Sequence, residues 1–151
     1  MAKEDNKDLL EMLTPFTPEV QELALWLRDF VWNLYPNCNE LIYDNYNALA
    51  FGWGLSDQLG DVFCSIAVNK TINFGFNRGH EITDSEQKLI GNGNQYRYMK
   101  VLAKKDFPKT YMKMLLKQAH ANAQVRLKEG KPTLKGQTIV KSISAKKRRP
   151  A

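Results

Sequence analysis

At 151 residues and 17.4 kDa, with 43% hydrophobic and 25% charged side chains, the chain has the makeup of a single globular domain and not of a disordered, collagen-like or fibrous protein. No apolar run approaches the roughly 20 residues of a membrane span, and the opening MAKEDNKDLLEML is charged where a signal peptide needs an apolar stretch, so a cytoplasmic protein with no membrane partner is expected. The formal charge of +6 is unevenly spread: residues 1–61 hold 3 basic and 11 acidic side chains, residues 62–129 hold 12 and 5, and residues 130–151 hold seven cations and no acid.

The opening KEDNKDLLEML bunches Leu9, Leu10, Met12 and Leu13 on one side and places Glu4, Asp8 and Glu11 at helical spacing on another, which predicts a short helix. Thr17-Pro18 is an N-cap followed by a first-turn proline. Val20, Leu23, Ala24, Leu27, Phe30, Val31 and Leu34 then recur every three or four residues, predicting a helix over 18–34 that stops before Pro36.

Beyond Asn39 the pattern changes to short runs rich in aromatic and β-branched residues. Five strands are predicted, at 41–46, 48–53, 62–69, 71–76 and 96–102, with a tight hairpin at Val68-Asn69-Lys70-Thr71. Asp84 to Ile90 is expected to make a helical turn within an otherwise irregular connection. Pro108 opens another helix to about Leu127, with Met112, Leu115, Leu116, Ala119, Ala123 and Leu127 as its apolar stripe. Thr138-Ile139-Val140 is too short to demand a core strand, so residues 130–151 read as a basic, flexible extension of a domain spanning 1–129. Helices, then strands, then a helix predict a two-layer α+β fold, an antiparallel sheet of about five strands covered by the amino-terminal helices and a carboxy-terminal one.

In order along the chain stand a helix ending in Tyr35-Pro36, the run Leu41-Ile42-Tyr43, a strand pair with Asn73-Phe74-Gly75-Phe76 and the following Arg78-Gly79. Leu89-Ile90-Gly91-Asn92-Gly93 and Arg97-Tyr98-Met99-Lys100-Val101 follow. This order resembles the YdhG-like domain family of unknown function, over roughly half of the chain. The resemblance implies a two-layer α+β domain, and some members are labelled iron chaperones through a distant similarity of fold to frataxin-like proteins. The chain departs from the family pattern after Phe51, in the glycine-rich and polar stretch 52–60.

Motifs for catalysis are weak. Cys38 and Cys64 are 26 residues apart with neither a CxxC nor a neighbouring histidine, so no structural zinc site can be written from them; Cys64 is expected in the core and Cys38 to be more exposed. His80-Glu81 lacks the second histidine of HExxH, His120 lies in a lysine-rich helix, and no GxSxG occurs. Gly91-Asn92-Gly93-Asn94 runs into a strand with no Walker lysine and reads as a turn.

Binding is therefore the leading expectation. Strand aromatics outnumber what one covered face needs, and Tyr43, Trp53 and Phe76 with Arg78 and Arg97 are the candidate lining of a groove for an anionic small molecule or a protein partner, with no cofactor and no catalytic residue. Two alternatives stay open. Glu4, Asp8 and Glu11 on the first helix are candidate ligands for iron, and the cluster Lys146-Lys147-Arg148-Arg149 is a candidate contact for nucleic-acid phosphates.

Overall fold

The computed structural model describes residues 6–45, 48–91, 96–127 and 136–144. Among these, three α-helices lie against one six-stranded, mostly antiparallel sheet, the expected α+β class. Helix α1 (Lys7–Leu13) is capped by the Asn6 side chain, which accepts from the Leu9 amide at 3.0 Å. Helix α2 (Pro18–Leu34) starts on Thr17, whose hydroxyl accepts from the Val20 amide, and closes with the Tyr35 amide donating to Val31. These are the stop and start signals read from sequence: a hydroxyl supplies an acceptor for orphan amides, and Pro18 occupies a first-turn position where its missing N–H costs nothing.

The strands are β1 (Asn39–Asp44), β2 (Leu49–Gly54), β3 (Val62–Val68), β4 (Ile72–Phe76), β5 (Arg97–Val101) and β6 (Thr138–Ile143); helix α3 (Lys109–Arg126) precedes the last of them. Their spatial order is β5-β4-β3-β2-β1-β6. The first five form an antiparallel meander, and the predicted hairpin pairs Val68 with Ile72. Thr138–Ile143, assigned above to a flexible extension, is instead a sixth strand that pairs in parallel with β1, and the sheet has six strands where about five were expected. Three β-branched residues in a short polar context carry little local signal; their strand is made by the backbone of β1, roughly a hundred positions earlier.

The core lies between the sheet and the helices. Ile42, Phe51, Ile66, Phe74 and Met99 form one row across β1 to β5, and Leu49, Val68, Ile72 and Val101 share the next. Phe30 and Phe107 meet Phe74 edge to face, with centroids 6.5 and 5.1 Å from its ring, and Trp32 meets Trp53 at 6.0 Å. Such edge-to-face contacts align ring edges with π faces and fix the helices on the sheet. A bulge where Gly54 opposes Val62 turns the Phe63 ring to the helix side, where it meets Tyr35 and His120.

The expected helical turn at Asp84–Ile90 does not form. The Asp84 carboxylate instead takes the Lys88 and Leu89 amides at 3.1 and 2.8 Å and accepts the Tyr111 hydroxyl, Gln87 adopts a left-handed φ of 54°, and Ile90 bridges to Tyr98. An aspartate that captures amides four and five residues ahead competes directly with helical bonding. Cys38, expected to be the more exposed thiol, is 3% exposed because Tyr35–Asn39 folds under the end of α2.

Candidate binding face of the sheet

Side chains alternate across a strand, so the rows facing away from the helices follow from the pairing register. Leu41, Gly52, Ser65, Gly75 and Tyr98 form one such row, and Tyr43, Ala50, Ala67, Asn73 and Lys100 form the other. Tyrosines stand on the two flanking strands, while in these two rows the three central strands carry only alanine, glycine, serine and asparagine, and the Val62 side chain at the start of β3 lies against Gly52. Within these rows Leu41, Gly52 and Gly75 are buried, and Ala50, Ser65, Ala67 and Asn73 are the central residues that keep partial exposure.

The middle of these rows is low because larger side chains do not fit. A Cβ on Gly75 would lie 2.4 Å from the Tyr96 ring, and one on Gly52 would lie 2.8 Å from the Cys64 carbonyl and from Val62. Tyr96 thus lies across Gly75, donates its hydroxyl to the Ser65 carbonyl at 3.3 Å and stacks on Tyr98 at 5.6 Å, 17° from parallel. Burial pushes the Tyr96 hydroxyl up to about 12, so it stays a donor throughout the neutral range. At the other side, burial and the Asp57 charge also raise Tyr43.

Beside Tyr98 this face opens into a shallow cavity of about 340 Å³ near the β3–β4 hairpin. Ala67 and Asn73 form its floor, Tyr98 one wall, and Lys70 and Lys100 its rim; none of the described residues lining it is acidic. The Asn73 Oδ1 is buried there with no hydrogen-bond partner among the described residues. A carbonyl oxygen in that state costs about 1–3 kcal/mol relative to one that is satisfied, and a ligand N–H or O–H recovers that energy only when the Asn73 side chain turns its oxygen toward the cavity. Two ammonium groups, one accepting amide and one aromatic face are the elements that hold a flat anion carrying a donor.

Of the five groove residues named from sequence, Tyr43 alone lies on this face. Trp53 and Phe76 are fully buried on the helix side, because their positions fall in register with Glu40, Cys64 and Arg97 and not with Tyr43. Arg78 is exposed at the end of β4 with a φ of 53°, and Arg97 packs its stem against Gly79, on the strand four places from β1. The structure therefore does not bring the five together. The residues missed are Lys70, Asn73 and Lys100, and a signal was available: small residues at alternate positions, Ala50-x-Gly52, Ser65-x-Ala67 and Gly75, in three consecutive strands.

The alternatives fare differently. Asp8 and Glu11 are exposed on α1, Glu4 lies outside the described residues, and among those described no group of three histidine, cysteine, aspartate or glutamate side chains could hold a metal ion. Lys146, Lys147, Arg148 and Arg149 also lie outside the described residues. Both thiols are buried: Cys38 is pushed up to about 11 and Cys64 well above its ordinary value, which keeps both protonated and poorly nucleophilic near neutrality. His120 stacks on Tyr35 at 4.8 Å, and burial lowers its pKa. No described helix is long and apolar enough to cross a membrane. No family model, curated protein or solved structure matches the chain.

Proposed function

We propose that the protein is a non-enzymatic, cytoplasmic binding domain whose helix-free sheet face takes a small planar anion, seated on Tyr98 and Ala67 between Lys70 and Lys100. The observation that carries this reading is the cavity floored by Ala67 and Asn73, walled by Tyr98 and rimmed by two lysines, with no acid among its described lining residues. The order of motifs resembles that of the YdhG-like domain family, and the two-layer α+β architecture which that resemblance implies agrees with the fold of this chain.

The reading is tested by a thermal-shift screen of aromatic carboxylates and nucleoside monophosphates. A ligand at a hundred times its Kd adds about 2.7 kcal/mol to the folded state, which raises the Tm of a domain of this size by roughly 5–10 °C. Tyr98→Ala and Lys100→Gln should each remove most of that shift, and Arg78→Ala, on the exposed turn after β4, should leave it intact. A shift that survives both face substitutions places the site elsewhere and refutes the proposal.

A further inference from the structure

On the helix side of the sheet, between α1 and β6, lies a second and larger groove of about 480 Å³. Met12, Phe16 and Val140 supply apolar walls, while Asp8, Glu11 and Asp44 supply carboxylates. Asp8 and Glu11 are exposed on α1, and Asp44 ends β1 with 4% of its surface exposed. Apolar walls set between acids suit long cationic side chains, whose methylene stems lie along the walls while their charged heads reach the carboxylates.

A segment of that chemistry leaves the sheet at the edge of this groove. Ile143 pairs with Asp44, and the Ser144 amide donates to the Asp44 carbonyl at 2.8 Å, so the last described residues lie at the groove, which Ile143 and Asp44 both line. Residues 145–151 read Ala-Lys-Lys-Arg-Arg-Pro-Ala, four cations and no acid. At up to about 3.6 Å per residue, Lys146 to Arg149 all fall within roughly 18 Å of Ser144, which covers the groove. Residues 1–61 supply the complementary field, with 3 basic against 11 acidic side chains.

We propose that this groove is the docking site of the chain's own basic segment, residues 145–151, held by Lys and Arg heads on Asp8 and Glu11. The interaction is intramolecular and electrostatic, so salt weakens it, and any polyanion that binds the segment has to displace it from the groove.

The test uses the full chain, ¹⁵N-labelled, with a nitroxide on Ala151→Cys; the native thiols are 3% and 0% exposed and escape labelling in the folded state. At low salt the amide signals of Asp8, Glu11, Met12 and Val140 should lose about half of their intensity to the nitroxide, and about 0.5 M salt, with a Debye length near 4 Å, should restore it. Asp8→Asn combined with Glu11→Gln, both at exposed positions, should restore it at low salt as well. Absence of broadening along α1 overturns the proposal, as does broadening unchanged by the double substitution. Broadening that appears when spin-labelled ¹⁴N chains are mixed with unlabelled-spin ¹⁵N chains assigns the groove to the segment of a second copy and overturns the intramolecular assignment.

Discussion

Replacing Glu40 by alanine removes the anion from a buried cluster that ties α2, β1 and β6 together. Its carboxylate accepts from Arg28 Nε at 2.9 and 3.2 Å, from Arg28 Nη2 at 3.0 Å and from the Thr138 hydroxyl at 2.6 Å, and the two charged side chains are 1% and 0% exposed. Removing one member of such a pair takes the Glu40 carboxylate away from a guanidinium buried in the core, a loss of about 3–5 kcal/mol. In a domain near 150 residues that is a fall in Tm of roughly 6–20 °C. Arg28→Met with Glu40→Leu removes both charges at similar volume and should cost far less than Glu40→Ala alone, since buried ion pairs often roughly break even against apolar replacements. Thr138→Val deletes only the hydroxyl donor and should cost about 1.5–3 kcal/mol, the range for a hydrogen bond to a charged group. Urea melts followed by far-UV circular dichroism, with the slope checked for constancy, measure all three. A loss below about 1 kcal/mol for Glu40→Ala would show that the carboxylate is solvated in the folded protein and refute the cluster. The same cluster makes β6 part of the stable unit, so a chain ended at Gly130 should melt measurably lower than the full chain.

Gly75→Ala should destabilise by about 1–3 kcal/mol, because a Cβ 2.4 Å from the Tyr96 ring displaces Tyr96 from the sheet; a melt unchanged within error, or Tyr96 fluorescence unaltered in a tryptophan-free background, would contradict that packing. Burial raises the Asp84 carboxyl, but the Tyr111 hydroxyl and the Leu89 and Lys88 amides outweigh it and hold its pKa below the ordinary 3.8. The folded-state pKa is depressed, so the stabilisation is present above the unfolded value and is lost as pH falls through the folded one; Tyr111→Phe should flatten the acid limb of a stability-against-pH curve below pH 4. His120 is depressed below 6.5 by burial, so stability should also fall as pH drops beneath 6.5, and His120→Gln should remove that part of the slope. Both cysteines should react with a thiol probe only as fast as the domain opens, and rapid labelling of Cys38 in the native state would refute its burial.

Much of the architecture is written in local signals. Thr17-Pro18 and the spacing of Leu23, Leu27 and Val31 specify α2 to the residue, and alternation on both sides of Asn69-Lys70 specifies the hairpin, because caps, first-turn prolines and strand parity act over a few neighbours. What the tertiary structure decided is which parity faces the helices. Tyr43 and Trp53 sit in adjacent strands with equally aromatic surroundings, yet one lies on the open face and the other in the core, since that choice depends on where α2 and α3 settle and on the bulge at Gly54. The sixth strand was equally out of local reach: Thr138–Ile143 becomes a strand because β1 offers an unpaired edge and Glu40 offers Thr138 a buried acceptor, 98 positions away in the chain. Asp84 turned an expected helical turn into a loop by finding Tyr111 on α3. Composition and periodicity determine the class of fold and most of its elements; the row of Gly52, Ser65 and Gly75 exists only once separate strands align, because register is a property of pairs and not of single segments.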